Sequence, residues 1–185
     1  MRPHIRALVC ELVKSGTLTG NVVEIGAFQV PSQVGFADMR GFFSEGYIGV
    51  DMRAGPGVDV VENVLTYRPE ERVQTVLCLE TLEHVDNIFG AVNAMRDMLT
   101  DDGVLLMTSH QNFDTHAHPN DYWRFTEFGF EYLLRSFGTV VVGKVGTPLN
   151  PHTVVGLAWK GSGVSGVEVA SAAMQRAGVS TRRAK

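Results

Sequence analysis

Two short apolar runs, each closing on a small or acidic residue, constrain this chain more than any other feature: Val22–Ile25, within NVVEIGAFQV and followed by Gly26, and the YIGV run at Tyr47 that ends on Asp51. A strand buried on both faces of a parallel sheet reads as an unbroken apolar run. A glycine at its carboxyl end lets backbone approach a ligand, and an acid closing the next strand suits ribose hydroxyls. The pair outlines a site for a nucleoside-bearing cofactor, although a strand, a glycine turn and a later acid occur together in many doubly wound domains.

The remaining chain alternates the same way. Ile5, Leu8, Val9, Leu12 and Val13 repeat at helical spacing before the first strand, and residues 31–45 read as a helix entered at Pro31, with Val34, Phe36, Met39, Phe42 and Phe43 as its apolar surface. Gly46–Asp51 is the second strand, and the turn residues 53–57 lead to a short third strand at Val58–Val61. Residues 73–79 make a fourth. Ile88, Phe89, Val92, Met95 and Leu99 then mark a helix, Val104–Thr108 is a fifth strand, a further helix is expected at 126–136, and Thr139–Val145 and Thr153–Lys160 make an antiparallel pair at a sheet edge. Alternation of this kind predicts an α/β, Rossmann-like doubly wound fold. It has a mostly parallel seven-stranded sheet, an antiparallel last strand and helices on both faces. Ligands bind such sheets beyond the carboxyl ends of the strands, where Gly26, Asp51, Asn63, Leu79-Glu80 and Ser109-His110 all fall.

Composition sets outer limits. With 185 residues, 44% of them apolar and 19% charged, the chain suits one folded domain over 1–160, with 1–19 as an N-terminal helical cap. Residues 161–185, rich in Gly, Ser, Ala and Val, read as a loosely ordered tail in which Val167–Met174 could form an amphipathic helix. No apolar run reaches the roughly 20 residues that span a bilayer, and Arg6, Glu11 and Lys14 break up the N-terminus, so a cytoplasmic location without a membrane partner is expected. Cys10 and Cys78 lie in apolar runs and read as reduced core residues. A net charge of −4 disfavours broad nucleic-acid binding and favours a small-molecule substrate.

Several motifs in the same order give the chain a family resemblance. Val23-Glu24-Ile25-Gly26-Ala27, Gly49-Val50-Asp51, the run from Cys78 to Val85 (CLETLEHV), Asp102-Gly103-Val104-Leu105-Leu106 and the block from His116 to Thr126 (HAHPNDYWRFT) resemble class I S-adenosylmethionine-dependent methyltransferases. The likeness is to their small type 11-like domains with an H-x-x-P-x-D-Y-W-R-F-T block, over residues 20–160. The resemblance implies S-adenosylmethionine as cofactor. Glu24 and the backbone of Gly26, Ala27 and Phe28 would face its methionine part, Asp51 its ribose, Met52 an adenine face and Asn63 the adenine edge, while Leu79 and Glu80 would border it from the fourth strand. Three departures stand out: Phe28 occupies the place of a second glycine, Asn63 replaces an acid, and Val30-Pro31 is an unusual way into the following helix.

Glu80, Glu83 and His84 are three and four residues apart and could share one face at a helix start. The same E-x-x-E-H arrangement binds a magnesium-like ion in ubiquinone-pathway O-methyltransferases and small-RNA 3′-end ribose methyltransferases. The alternative is that Glu80 borders the cofactor while Glu83 and His84 orient the helix start. His110, His116 and His118 crowd the segment after the fifth strand, and His116, matching the block, is the candidate general base. His110, His118, Tyr122, Trp123 and Arg124 are candidate substrate contacts, with an Asp121–Arg124 pair and a Trp123 anchor as the structural reading.

The expected function is therefore in-line O-methylation of a small-molecule or sugar hydroxyl. Two alternatives stand beside it: a catalytically inactive cofactor-binding partner subunit, and a metal-assisted ribose 2′-O-methyltransferase on RNA. The short cap implies either an open site or one completed in a homodimer.

Overall fold

The computed structural model describes residues 2–116, 120–162 and 165–184. Its first element, α1 (Pro3–Lys14), starts on a proline and buries Ile5, Leu8, Val9 and Leu12, one face of a helix at the spacing the sequence shows. The strands β1 (Val22–Ile25), β2 (Tyr47–Asp51), β3 (Val60–Val61), β4 (Val73–Leu79) and β5 (Leu99–His110) pair in parallel. β6 (Thr139–Gly146), β7 (Pro151–Trp159) and β8 (Ser180–Arg183) complete one sheet in the order β3-β2-β1-β4-β5-β7-β6-β8. β7 runs antiparallel to both β5 and β6, and β8 antiparallel to β6. The chain leaves β1 toward one edge and returns at β4 toward the other, so the crevice between β1 and β4 is the topological switch point where open α/β sheets bind ligands.

Each face of the sheet has its own core. α2 (Ile88–Met98) and α3 (Glu127–Leu133) cover one with Val92, Met95, Phe130 and Leu133. α1 and α4 (Val167–Arg176) cover the other with Leu8, Leu12, Ala170, Ala173 and Met174. Both α2 and α3 are capped by side chains, Asn87 accepting from Gly90 N and Thr126 from Gly129 N.

Three expectations need correction. Residues 31–45 do not form a helix; they form two single turns of 3-10 helix, Pro31–Gln33 and Arg40–Phe42. Gly35 sits at φ +78°, its N–H donates to Gln29 Oε1, and the carbonyls of Phe36 and Asp38 are taken by the Arg6 guanidinium instead of by helical N–H groups. Of the apolar residues there only Met39 is buried, while Val34 and Phe36 are exposed. The sheet has eight strands, not seven, and its β6–β7 pair lies inside the edge because β8 covers β6. The eighth strand comes from the segment expected to be a loose tail: small Ala170 and Ala173 let α4 settle beside α1 and bring β8 to the sheet. His118 lies outside the described residues. Among those described, no helix is long and apolar enough to cross a membrane.

Candidate cofactor and acceptor site

A cavity of about 660 Å³ opens over the carboxyl ends of β1, β2, β4 and β5. Glu24, Gly26, Ala27, Phe28, Asp51, Met52, Leu79 and Glu80 all line it, together with His84, His110 and His116. Asn63 does not; Glu62 and Val64 line the cavity instead. The Asn63 Oδ1 accepts from Leu65 N and closes its own turn, an Asx geometry that commits the amide to backbone.

The β1 end is built for close backbone approach. Gly26 has φ +81°, and a Cβ there would lie 2.1 Å from Thr81 Oγ1. Its N–H and that of Ala27 both reach Val50 O on β2. Phe28, the residue in place of a second glycine, has room because Gly55 faces its ring, where a Cβ would come within 2.4 Å. The Arg53 guanidinium covers that ring at 4.3 Å from its centroid.

Asp51 is held at both oxygens. Oδ2 accepts from Phe28 N at 3.3 Å, and Oδ1 accepts from Arg53 N at 2.9 Å and Nε at 3.1 Å. A carboxylate offers about four lone-pair sites, so acceptor capacity for ligand hydroxyls is left. Met52 beside it is 68% exposed and lays a thioether on the cavity wall.

Glu80 has φ +49°, the one non-glycine in the left-handed region among the described residues. Such a conformation costs on the order of 1–3 kcal/mol and persists where surrounding contacts impose it. Here Glu80 N is bound by Thr108 O and Oγ1 on β5, which fixes the carboxylate at the cavity edge. The expected helical face of Glu80, Glu83 and His84 does not exist, because only Leu82–His84 makes a single 3-10 turn and Glu80 precedes it with φ positive. Instead Glu83, His84 and His116 each place one ligand-type atom within 4.8 Å of the others. Glu80 stands apart from that trio, against His110.

His110 is buried between two acids, with Nδ1 3.4 Å from Glu80 Oε1 and Nε2 3.2 Å from Glu83 Oε1. Burial, with the positive charge of Arg2 next, pushes its pKa down to about 3, so it is a neutral imidazole. Burial likewise raises Glu83, whose Oε2 accepts the Ser109 hydroxyl at 2.6 Å. Glu83 Oε1 and His110 Nδ1 are buried and, beyond these ion-pair contacts, make no hydrogen bond among the described residues. Phe113 stacks on the His110 ring at 4.5 Å, and His116 meets both rings edge-on.

His116 has an acid behind it. Its backbone N–H donates to Asp121 Oδ2 at 2.9 Å, and its Nδ1 lies 3.3 Å from the same oxygen. Arg124 grips Asp121 with two parallel hydrogen bonds, 2.6 and 2.8 Å, and holds that carboxyl well below the usual range. The remaining Arg124 donors go to the carbonyls of Phe113, Asp114 and Trp123. Trp123 Nε1 donates to Val85 O and Tyr122 N to Glu83 O. Tyr122, Trp123 and Arg124 are thus outside the cavity lining, and these hydrogen bonds fasten the loop that carries His116.

Arg2 and Phe113 line the acceptor side without any signal in the sequence. Arg2 arrives from the start of α1, donates to His152 and Thr153, and lies over the Phe113 ring at 4.7 Å. Only the folded chain brings those segments together.

No family model and no curated protein matches the sequence. Solved structures do. The 1,6-didemethyltoxoflavin-N1-methyltransferase of Burkholderia thailandensis, solved with 1,6-didemethyltoxoflavin and S-adenosylhomocysteine, superposes with a TM-score of 0.63 at 19% identity, over 86% of this chain and 79% of that one. The N-methyltransferase NodS of Bradyrhizobium japonicum with S-adenosylhomocysteine gives 0.60 at 15% over 84% of each chain. A SAM-dependent methyltransferase of Archaeoglobus fulgidus gives 0.65 at 13%, over 84% and 93%. The chain has the class I fold of the S-adenosylmethionine-dependent methyltransferases.

Proposed function

We propose that this protein is an enzyme that transfers the methyl group of S-adenosylmethionine to a hydroxyl of a small molecule. The observation that carries the reading is a single cavity. It holds a backbone cradle at Gly26–Phe28, a carboxylate with spare acceptors at Asp51, and a histidine backed by an acid at its far wall. S-adenosylmethionine supplies an electrophilic methyl on a sulfonium when bound. Asp51 would accept the two ribose hydroxyls, Met52 would pack on the base, and Glu24 would answer the positive methionine part. Glu62, which lines the cavity where Asn63 does not, would be the side chain at the adenine edge.

On the acceptor side, His116 takes the proton of the attacking hydroxyl at the imidazole nitrogen not facing Asp121. Asp121 then stabilises the imidazolium through Nδ1, and Arg124 keeps Asp121 ionised. The Phe113, His110 and His116 rings pack on one another and would form one wall beside the reacting oxygen. Most of the acceleration comes from alignment, which can lower a barrier by roughly 7–11 kcal/mol, and the base adds about 10²–10⁴-fold.

A second reading has one observation in its favour: Glu83, His84 and His116 converge, and the His84 Nδ1 is turned to Asn120 O as a ligating histidine's second nitrogen commonly is. These residues fit a divalent ion that would grip acceptor hydroxyls. The test is transfer from methyl-labelled cofactor to a panel of small hydroxyl and amine compounds, with and without chelator. We expect label on hydroxyl compounds, no effect of chelator, and a loss of about 10²–10⁴-fold in His116→Ala. Label on amines alone, or an unaffected His116→Ala, contradicts the proposal. Loss on chelation, restored by magnesium, supports the second reading.

A further inference from the structure

Glu24 has a partner that no motif singles out. Tyr47, at the start of β2, donates its hydroxyl to Glu24 Oε2 at 2.6 Å. The strand register puts Gly49, not Tyr47, level with Glu24. Gly49 has no side chain, and none would fit: a Cβ there would lie 2.1 Å from Gly57 O and 2.8 Å from the Ala27 Cβ. Tyr47, two residues earlier, projects from the same side of the strand, and its phenol is long enough to reach the acid on the neighbouring strand. The ring is fixed from outside by the Arg40 guanidinium, 5.2 Å from its centroid, and by Phe43 at 5.7 Å. Arg40 is itself anchored on Asp59 and Gly57 O, so the hydroxyl is aimed by a built scaffold.

We propose that Tyr47 is a positioning residue for the cofactor: its hydroxyl keeps the buried Glu24 carboxylate ionised and oriented, so that the carboxylate can receive the ammonium of the cofactor's methionine part. This rests on the methyl-donor reading above. A carboxylate removed from water resists ionisation, and a strong O–H donor aimed at it favours the charged form. Burial pushes Glu24 up to about 7, and the Tyr47 hydrogen bond acts against that rise. Of the other groups around Glu24, Arg40 favours its ionisation, whereas Asp38 and Asp51 oppose it. The Cys78 thiol on β4 is raised by burial and stays neutral. The Tyr47 phenol is also raised, by burial first and then by Glu24, so it remains a donor.

The sign follows directly. A cation prefers ionised Glu24, so cofactor affinity falls as pH is lowered through the Glu24 titration. Tyr47→Phe removes a donor to the charged form, and the titration moves upward by about 1–2 pH units. Calorimetric titration with S-adenosylhomocysteine across about pH 5.5 to 8.5 reads this without turnover or a known acceptor. Wild-type protein is expected to gain affinity with a midpoint near the Glu24 value of about 7. Tyr47→Phe should bind about tenfold more weakly at neutral pH and recover toward wild type at the alkaline end, and Glu24→Gln should show no step. A Tyr47→Phe profile that superimposes on wild type, or one weakened equally at every pH, overturns the proposal. Should Tyr47→Phe not fold, an NMR titration of the Glu24 carboxyl in wild type decides: a pKa that drops on ligand binding supports it, and an unchanged one overturns it. Wild type that binds nothing at any pH strikes the cofactor reading itself, a different failure.

Discussion

Gly26→Ala is expected to lower the unfolding free energy by about 2–5 kcal/mol and to abolish cofactor binding in whatever fraction stays folded. Two independent causes add. A left-handed backbone costs an L-residue roughly 1–2 kcal/mol, and Gly26 has φ +81°. A methyl group there would also sit 2.1 Å from Thr81 Oγ1 and 2.3 Å from Thr81 Cγ2, an overpacking of the kind that typically costs about 1–3 kcal/mol. Thr81 cannot yield freely, since its hydroxyl donates to Leu79 O at 3.1 Å. Against a total stability on the order of 5–15 kcal/mol the loss is severe. Urea denaturation of Gly26→Ala, Thr81→Ala and the double variant separates the causes. The double variant should recover the packing part and keep the backbone part, whereas strict additivity would show that the two residues do not meet.

Asp51→Ala is expected to weaken S-adenosylhomocysteine binding by about 10²–10⁴-fold with the fold retained. Each hydrogen bond from a hydroxyl to a charged carboxylate is worth about 1.5–3 kcal/mol, and the ribose offers two. The same substitution frees Phe28 N and the Arg53 side chain, which now converge on Asp51, so the cradle loosens as well. Asp51→Asn keeps one acceptor oxygen and should fall between the two. Equal affinity in all three proteins, read by calorimetry with circular dichroism as the folding control, would remove Asp51 from the site.

The parts of this protein legible in its sequence are those where side-chain chemistry and backbone periodicity agree. Val22–Ile25 and residues 73–79 read as strands because almost every residue is apolar, and they are buried. Gly26, Asp51 and Glu80 then follow at strand ends, and the cavity contains all three. Where the signals conflict, the reading fails. Residues 31–45 carry enough apolar residues for a helix, but Gly35 and the Arg6 guanidinium impose turns, and Arg6 reaches them only through tertiary folding. Asn63 and Glu62 are adjacent in sequence, but Asn63 closes its own turn on Leu65 N while Glu62 lines the cavity. The alanines at 170 and 173 dilute the hydrophobic signal of α4, yet their small size is what lets it pack. Tyr47 carries no site signal in the sequence because its partner Glu24 is on another strand, and only the pairing of β1 with β2 brings the two side chains together.

Roles at the far wall of the cavity follow the same division. The resemblance points to the block from His116 onward, and His116 does line the cavity. The neighbouring Trp123 and Arg124 are chemically just as suited to a ligand, but their side chains donate to the carbonyls of Val85, Phe113 and Asp114, while Tyr122 is tied down by its backbone N–H to Glu83 O. Spacing in the sequence carries no information about which carbonyls will be available.

The most direct measurement is calorimetric titration of the wild-type protein with S-adenosylhomocysteine, set against NAD under the same conditions. Saturable one-to-one binding of S-adenosylhomocysteine, and none of NAD, is the expected result. The Gly26–Phe28 cradle has no glycine-rich turn for a pyrophosphate, and the Glu24 carboxyl beside it would suit a cation. Binding of NAD alone, or of neither ligand, would contradict the assignment of this cavity to a methyl donor.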